Sequence, residues 1–464
     1  MTTTSSTASI TSLGVGSGLD LDSILESLEE SKTTSLLDPI TAQEESVEAE
    51  ISAYGTLTSA LDTLQSAAEA LADASLYDSL STSLSGSGVA VTTGSETVAG
   101  TYSIEVTQLA QAQSLATDGI SDTSTALGTG TLTLQAGSGD AVSITLDSSN
   151  NTLAGLRDAI NAADAGITAT LVSDGSDSPY RLVLTSNSTG TDAGMTVSYS
   201  SSDSSDLASS LFGYADGSGN MTETVAAQNA ELTINGITVT SQSNTVEEAL
   251  QGVTLTLSDT GSAQTLTIKR DTDKIESAIT AFVDAYNDFV TTVDELTAYD
   301  ADAGTSGELL GDSTTRRIST ELASDIYTQM GSGTFSYLSQ LGIGLESDGT
   351  LAIDEDTLAS ALEDNLDAVS EFFIGSDGSS GFISRMTEDL DNYLDEDTGL
   401  IPAKTDSLDT KLDQLEERYE EKQALIDSEM ERWREQFTEL DTLISTLNST
   451  ADYLTEQFEA LNSD

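Results

Sequence analysis

Apolar side chains recur at alternating steps of four and three along roughly the last sixty residues of the chain, from about Asp406 to Asp464. Leu408, Leu412, Leu415 and Tyr419 open the series, and Met430, Trp433, Phe437, Leu440, Ile444, Leu447, Ala451, Leu454, Phe458 and Leu461 continue it. This spacing keeps one stripe on one side of a helix and defines a coiled-coil seam. Two successive steps of four near Lys422 and Ile426 act as an inserted stutter, so a supercoil unwinds locally there. An unbroken helix of this length reaches about 85 Å at about 1.5 Å per residue, and so long a stripe requires a partner.

A second stripe lies near the other end of the chain. Asp38 and Pro39 suit an N-cap and a first-turn proline. The face that follows carries Val47, Ile51, Tyr54, Leu57, Leu61, Leu64, Ala68 and Leu71. It is the natural companion of the C-terminal seam, which predicts that both chain ends lie together; the alternative is that each helix packs on its own neighbouring domain. The candidate partner-binding residues are therefore Val47, Ile51, Tyr54, Leu57, Leu61 and Leu64 on one seam. On the other they are Trp433, Phe437, Leu440, Ile444, Leu447, Leu454, Phe458 and Leu461. A shorter apolar face, Leu21, Ile24, Leu25 and Leu28, precedes both.

From Leu84 to about Val225 the texture changes to short alternating runs separated by Ser, Thr, Gly and Asp, the pattern of β-strands and turns. One helix interrupts them, with Leu153, Leu156, Ile160 and Ala163 on one face, and two strands follow it directly. The Gly/Ser/Asp-rich stretch from Ser200 to Asn220 reads as a loop or linker. Asn235-Gly236 marks a tight hairpin, and VEEALQ after it reads as a helical turn. Further helices are expected at Asp273 to Leu296, Ser313 to Tyr327 and Asp356 to Phe373.

Composition narrows the chemistry. The 464 residues allow roughly two to four domains. No apolar run of about eighteen residues is present to span a membrane. The Ser/Thr-rich start lacks the basic and apolar regions of a cleaved signal peptide and reads as disordered alone. Cysteine and histidine are both missing, which excludes disulfides, thiolate or imidazole metal sites and His-dependent triads. The 79 acidic and 15 basic residues give a formal net charge of -64, which argues against nucleic acid or anionic membrane as a partner. The acids are spread over every segment, which favours adaptation to high salt over a dedicated site for cations or basic partners. Gly14, Gly16 and Gly18 miss phosphate-loop spacing, and Asp300, Asp302 and Asp348 miss the calcium-loop pattern and read as surface turns. The basic residues concentrate at Lys404, Lys411, Arg418, Lys422, Arg432 and Arg434, where neighbouring glutamates suggest pairing along the helix.

Several stretches resemble the flagellar filament-capping proteins, the hook-associated protein 2 family. SLGVGSGLDLDSIL, AYGTLTSALDTLQSAA and VTQLAQAQSL resemble its N-terminal region. TLAGLRDAINAADAGITATLVSDG is similar to a repeat of flagellins and hook-associated proteins. AELTINGITVTSQSNTVEEALQGVTLTL, LGIGLESDGTLAID and WREQFTELDTLISTLNSTADYLTEQFEAL resemble its C-terminal region. The resemblance implies a multidomain α+β fold, with long helical coiled-coil legs from both termini and β-rich head domains inserted between them. The expected division is 1–75 as N-terminal segment and leg, 76–110 with 226–404 as first head, 111–225 as outer head with a flagellin-type repeat near 151–190, and 405–464 as C-terminal leg. It further implies a non-enzymatic cap at the distal end of the flagellum, exported through the flagellar type III apparatus and assembled as a homo-oligomer, usually a pentamer. Flagellin, other filament subunits and an export chaperone are the implied partners; no catalytic, cofactor or metal set is expected. Two alternatives stay open. One is a hook-filament junction protein; the other is an adhesin binding glycans, with Tyr180, Tyr199, Phe212 and Tyr214 as stacking candidates.

Overall fold

The computed structural model describes residue 18 and residues 20–201, 206–330, 333–378 and 380–462, with side chains through Glu459. The Ser/Thr-rich start with Gly14 and Gly16, part of the 200–220 stretch and the side chain of Leu461 lie outside the described residues. In chain order the described helices are α1 (Leu21–Leu36), α2 (Asp38–Ala72), α3 (Ala74–Asp78), α4 (Leu153–Ala162), α5 (Leu207–Leu211), α6 (Thr272–Thr297), α7 (Ser313–Tyr327), α8 (Glu355–Asp364), α9 (Leu366–Ile374), α10 (Phe382–Leu394) and α11 (Leu400–Asn462). Contacts divide the chain into a helical unit, Met1–Tyr77 with Thr272–Asp464, and a β-rich unit, Asp78–Asp271.

In the helical unit α1 starts where the Asp20 carboxylate accepts the Ser23 amide at 3.2 Å, satisfying one free donor of the first turn. A single residue, Leu37, separates α1 from α2. Its backbone is already helical and its N–H donates to the Thr33 carbonyl, so α2 needs no side-chain cap. Asp38 therefore lies inside the first turn beside Pro39 and is not the cap that the sequence suggests. The α2 stripe of Val47, Tyr54, Leu57, Leu61, Leu64, Ala68 and Leu71 is buried and shares one core with Ile275, Ile279, Phe282, Tyr286 and Phe289 of α6 and with α7 to α10. Phe282, Phe372 and Phe382 meet at its centre, the last two stacked at 5.7 Å and the first edge-on to Phe382 at 5.9 Å.

Three features of this unit depart from expectation. The helix expected at Asp356 to Phe373 is two helices, because Asn365 leaves helical geometry (φ -139°, ψ 37°) between α8 and α9. Helix α10 was not foreseen, although Phe382, Ile383, Met386, Leu390 and Tyr393 fall on one buried face. Residues 272–404, expected in the first head, instead pack with the terminal helices, since α6 through α10 bury their apolar faces on α2.

The β-rich unit has two cores. One is built from Ile104, Val106, Leu232, Leu255, Leu266 and their neighbours. Over it lies a five-stranded antiparallel sheet, ordered Leu80–Leu84, Gln264–Arg270, Gly100–Gln108, Ala230–Ile234, Ile237–Ser241. Its last hairpin turns at Asn235 (φ 50°) and Gly236 (φ 81°) with Ile234 opposite Ile237, as the Asn-Gly pair predicts. VEEALQ is not a helical turn: Thr245–Leu250 is a strand paired with Val253–Leu257, bulged where Glu248 takes φ 62°.

The second core, from Leu115 to Met221, holds α4 against a four-stranded and a five-stranded sheet. The Asn161 amide of α4 donates to the Ala169 carbonyl at 3.0 Å and accepts the Ala169 amide at 2.7 Å. It thereby occupies the free edge of Ile167–Ser173. The stretch read as a loop near 200–220 is partly ordered, with Asp206 capping α5 and Leu211, Phe212 and Tyr214 buried. Asn161→Ala is expected to lower stability by about 1–2 kcal/mol in denaturant unfolding, because two edge groups lose their partner. An unchanged midpoint would mean that water satisfies that edge equally well.

Candidate functional site

The candidate site is α11. Its 63 residues extend about 95 Å at about 1.5 Å per residue, and they divide into a covered and an uncovered stretch. In the first, Ile401, Leu408 and Leu415 are buried, and Leu412 and Tyr419 pack half-buried beside them on the core that α2 lines.

Polar contacts fix how α11 lies there. Lys404 Nζ meets Glu50 Oε1 of α2 at 3.1 Å and Asp312 Oδ2 at 3.3 Å, 5.8 Å from the centre of the Tyr54 ring. The Tyr54 hydroxyl donates to Asp312 Oδ1 at 2.6 Å, and the same oxygen accepts the Thr315 amide and so caps α7. Burial pushes the Tyr54 phenol well above its ordinary range, and the Asp312 charge adds to that. For Asp312 burial acts upward, but the bonds from Tyr54, Thr315 and Lys404 outweigh it and hold the carboxyl below its ordinary value. Lys404 is held above its own ordinary value because Glu50 and Asp312 outweigh its partial burial. Further along, Lys32 Nζ of α1 meets Glu429 Oε2 at 2.7 Å. As α11 advances from 404 to 429 its partners retreat from 50 to 32, so α2 and then α1 run antiparallel to it. Lys404 thus joins three helices and does not pair along its own, as its glutamate-rich setting suggested.

The phase shift lies between Lys404, which meets α2, and Glu429, which meets α1. Ile426 is 1% exposed while the adjacent Leu425 is 44% exposed, and α11 continues unbroken through it. The change is between α2 and α1 across the Leu37 joint, and both belong to this chain. Beyond it the seam opens to solvent: Trp433 is 40% exposed, Leu447 59%, Leu454 50% and Phe458 65%, with Leu440 also exposed. Phe437 and Ile444 are half-buried, Phe437 with its ring 6.0 Å from that of Trp433.

The two expected seams therefore do not pair along their length. Val47, Tyr54, Leu57, Leu61 and Leu64, with half-buried Ile51, face the core of the helical unit. The stretch from Trp433 to Phe458 is not part of that core. Sequence reasoning missed the Tyr54, Asp312, Lys404 and Glu50 set, for which the one available signal was a lysine in a chain with 15 basic residues.

Other candidates resolve into structure. Phe212 and Tyr214 are buried and Tyr180 and Tyr199 half-buried within a core, Tyr199 bonded to Asp206, so they form no stacking platform. Asp300 and Asp348 accept amides of their own turns. Among the described residues no group of three or more Asp or Glu is arranged to hold a metal ion, and no helix is long and apolar enough to cross a membrane.

Comparison with known proteins gives this arrangement its context. Residues 131–188 match the flagellin hook IN motif, which begins twenty residues before the helix-and-strands segment expected near 151. Residues 17–113 and 227–449 match the N- and C-terminal models of flagellar hook-associated protein 2. The Escherichia coli K12 protein of that name is 44% identical over 467 residues, covering 97% of this chain and 98% of its own length. The Salmonella typhimurium protein is 38% identical, covering 98% and 99%. The crystal structure of the D1, D2 and D3 domains of the Escherichia coli flagellar cap protein overlays with a TM-score of 0.63 at 40% identity, covering 77% of this chain and 99% of that one. A helical unit closed by both chain ends, with an inserted β-rich unit bearing a flagellin-type motif, defines a hook-associated component of the bacterial flagellum. The chain belongs to the flagellar hook-associated protein 2 family.

The two seams should separate by mutation. Leu57→Ala is expected to cost about 2–5 kcal/mol in denaturant unfolding of the isolated chain, and Leu447→Ala to stay within about 0.5 kcal/mol. Comparable costs at both positions would show that the distal seam is already covered in the free protein.

Proposed function

We propose that this protein caps the distal end of the bacterial flagellar filament, where it promotes folding and polymerisation of arriving flagellin and prevents its loss. The single observation that carries the mechanism is the half-covered α11, whose apolar seam is satisfied inside the chain to Ile426 and, apart from half-buried Phe437 and Ile444, exposed from Trp433 to Phe458. An apolar helical face of this kind is recognised by a complementary helix laid along it, through anchors at heptad spacing. In the proposed cap that complementary surface is supplied by adjoining flagellar subunits, so assembly buries what the free chain exposes. The β-rich unit, with its flagellin-type motif, is the part that forms the folding chamber when several copies assemble; a ring of five is the working stoichiometry. The role is structural and uses no catalytic residues. Export is through the flagellar type III apparatus, with a chaperone covering the open seam beforehand.

Family membership and the match to a flagellar cap structure support this reading over an adhesin or a junction protein. A strain lacking this protein is expected to shed monomeric flagellin and to carry hooks without filaments. Complementation with the full chain restores filaments, whereas a chain ending at Arg432 folds and is exported but does not. Filaments of normal length in the deletion strain would remove the assignment, and full rescue by the shortened chain would remove the role of the distal seam.

A further inference from the structure

A cavity of about 500 Å³ lies between α7 and α10, lined by Arg317, Glu321, Asp325, Arg385, Asp389 and Tyr393 among others, and its rim includes Thr398 and Leu400 at the entry to α11. Asp325 is 3% exposed. Its Oδ1 accepts from Arg385 Nε at 2.9 Å, but its Oδ2 is buried without a hydrogen-bond partner. Asp389, one turn beyond Arg385 on α10, lines the same cavity, and its carboxyl acts on that of Asp325. Two carboxylates facing each other are two acceptors with nothing to donate, and a buried acceptor left so is costly.

The remaining charges around the cavity are already committed. Arg317 Nε bonds Glu321 Oε1 at 2.9 Å, and the Tyr393 hydroxyl bonds Glu321 Oε2 at 2.7 Å. Helices α6 and α11 also pack on α7, and α2, α9 and α11 on α10, yet among the described residues none of them brings a charged side chain to the lining; Leu400, at the start of α11, is apolar. Against three carboxylates stand two guanidiniums, so full ionisation leaves one negative charge uncompensated.

We propose that Asp325 and Asp389 form a proton-binding site in which one shared proton joins the two carboxyls and latches α7 to α10 beside the start of α11. The orphaned Oδ2, the facing carboxyl and the committed neighbours each call for that proton. Burial, and then the Asp389 carboxyl, raise the Asp325 carboxyl to about 7 against the opposing pull of Arg385. The chain has no histidine, and among the described residues Asp325 takes up the range in which an imidazole would otherwise titrate.

The sign of the pH dependence follows. The native pair holds a proton that the unfolded carboxyls have released, so between about pH 4 and about pH 7 the native state binds more protons and stability falls as pH rises. Asp312 and Glu321, held below their ordinary values, change stability only at lower pH. The full chain should therefore show an unfolding midpoint that drops by several degrees from about pH 5 to about pH 8. In Asp389→Asn the side-chain amide donates to Asp325 in place of the proton, and the profile should flatten. Parallel profiles in the two proteins would overturn the proposal. If that variant does not fold, site-resolved NMR titration of the aspartate side-chain carboxyls in the native wild-type chain decides, since a bulk titration is dominated by the other carboxyls of a chain with 79 acidic residues. One carboxyl that keeps its proton to about pH 7, and whose signal is lost in Asp325→Asn, is expected. Ionisation of every aspartate below about pH 5 would exclude the site.

Discussion

The helical unit depends on a mismatch of length. Helix α11 is 63 residues long, and the part of the chain running antiparallel beside it spans only from Leu21 to about Tyr54. At about 1.5 Å per residue in both directions, this leaves roughly thirty residues of α11 beyond the reach of the pairing. The covered part is held by burial in the core that α2 and α6 share. The uncovered part has the same heptad chemistry but gains no burial from that core. The fold thus places a ready-made half of a coiled coil outside its own hydrophobic balance.

The polar contacts that set the register are few, in keeping with 15 cations against 79 acids. Exposed ion pairs contribute about 0.2–1 kcal/mol each, and their attraction is screened by salt. Lys404 differs in kind, because it meets an Asp312 side chain only 10% exposed and lies near the face of the Tyr54 ring. Asp312 in turn caps α7. One cation therefore joins α2, α7 and α11, and without it the Glu50 and Asp312 carboxylates would lie close together uncompensated.

Much of this was legible in the sequence where periodicity carries the signal. The α2 stripe, the α11 seam, the face of α4 and the Asn235-Gly236 turn are local patterns, and local patterns survive without knowledge of the partner. What failed was whatever depends on the partner. The apolar face of α2 states that it will be covered, not whether α6 or distal α11 covers it, so the sequence does not show that residues 272–404 belong with the terminal helices. VEEALQ has good helix formers, yet Val246 is drawn into a sheet by Leu255 opposite it, a tertiary contact that overrides propensity. Helix α10 is short and follows a Gly/Ser-rich turn, which masked a stripe that was present. The site itself was half visible: the seam was found, and the point at which it opens was not, because only three-dimensional contact shows where α1 ends as a neighbour.

The helical unit is also discontinuous in sequence. Its first part closes on residues that follow the whole of Asp78–Asp271. During synthesis, or any passage that delivers the N-terminus first, the β-rich unit has all its residues available before α6 appears. Helix α2 must wait. Closing a flexible loop of about 190 residues adds little equilibrium cost, since the entropy grows only as the logarithm of length. The delay is kinetic: until Thr272 and the residues beyond it emerge, Leu57, Leu61 and Leu64 have no core to enter. The order of the chain therefore keeps its two ends unfolded the longest, and makes the arrival of the last helix the event that completes the molecule.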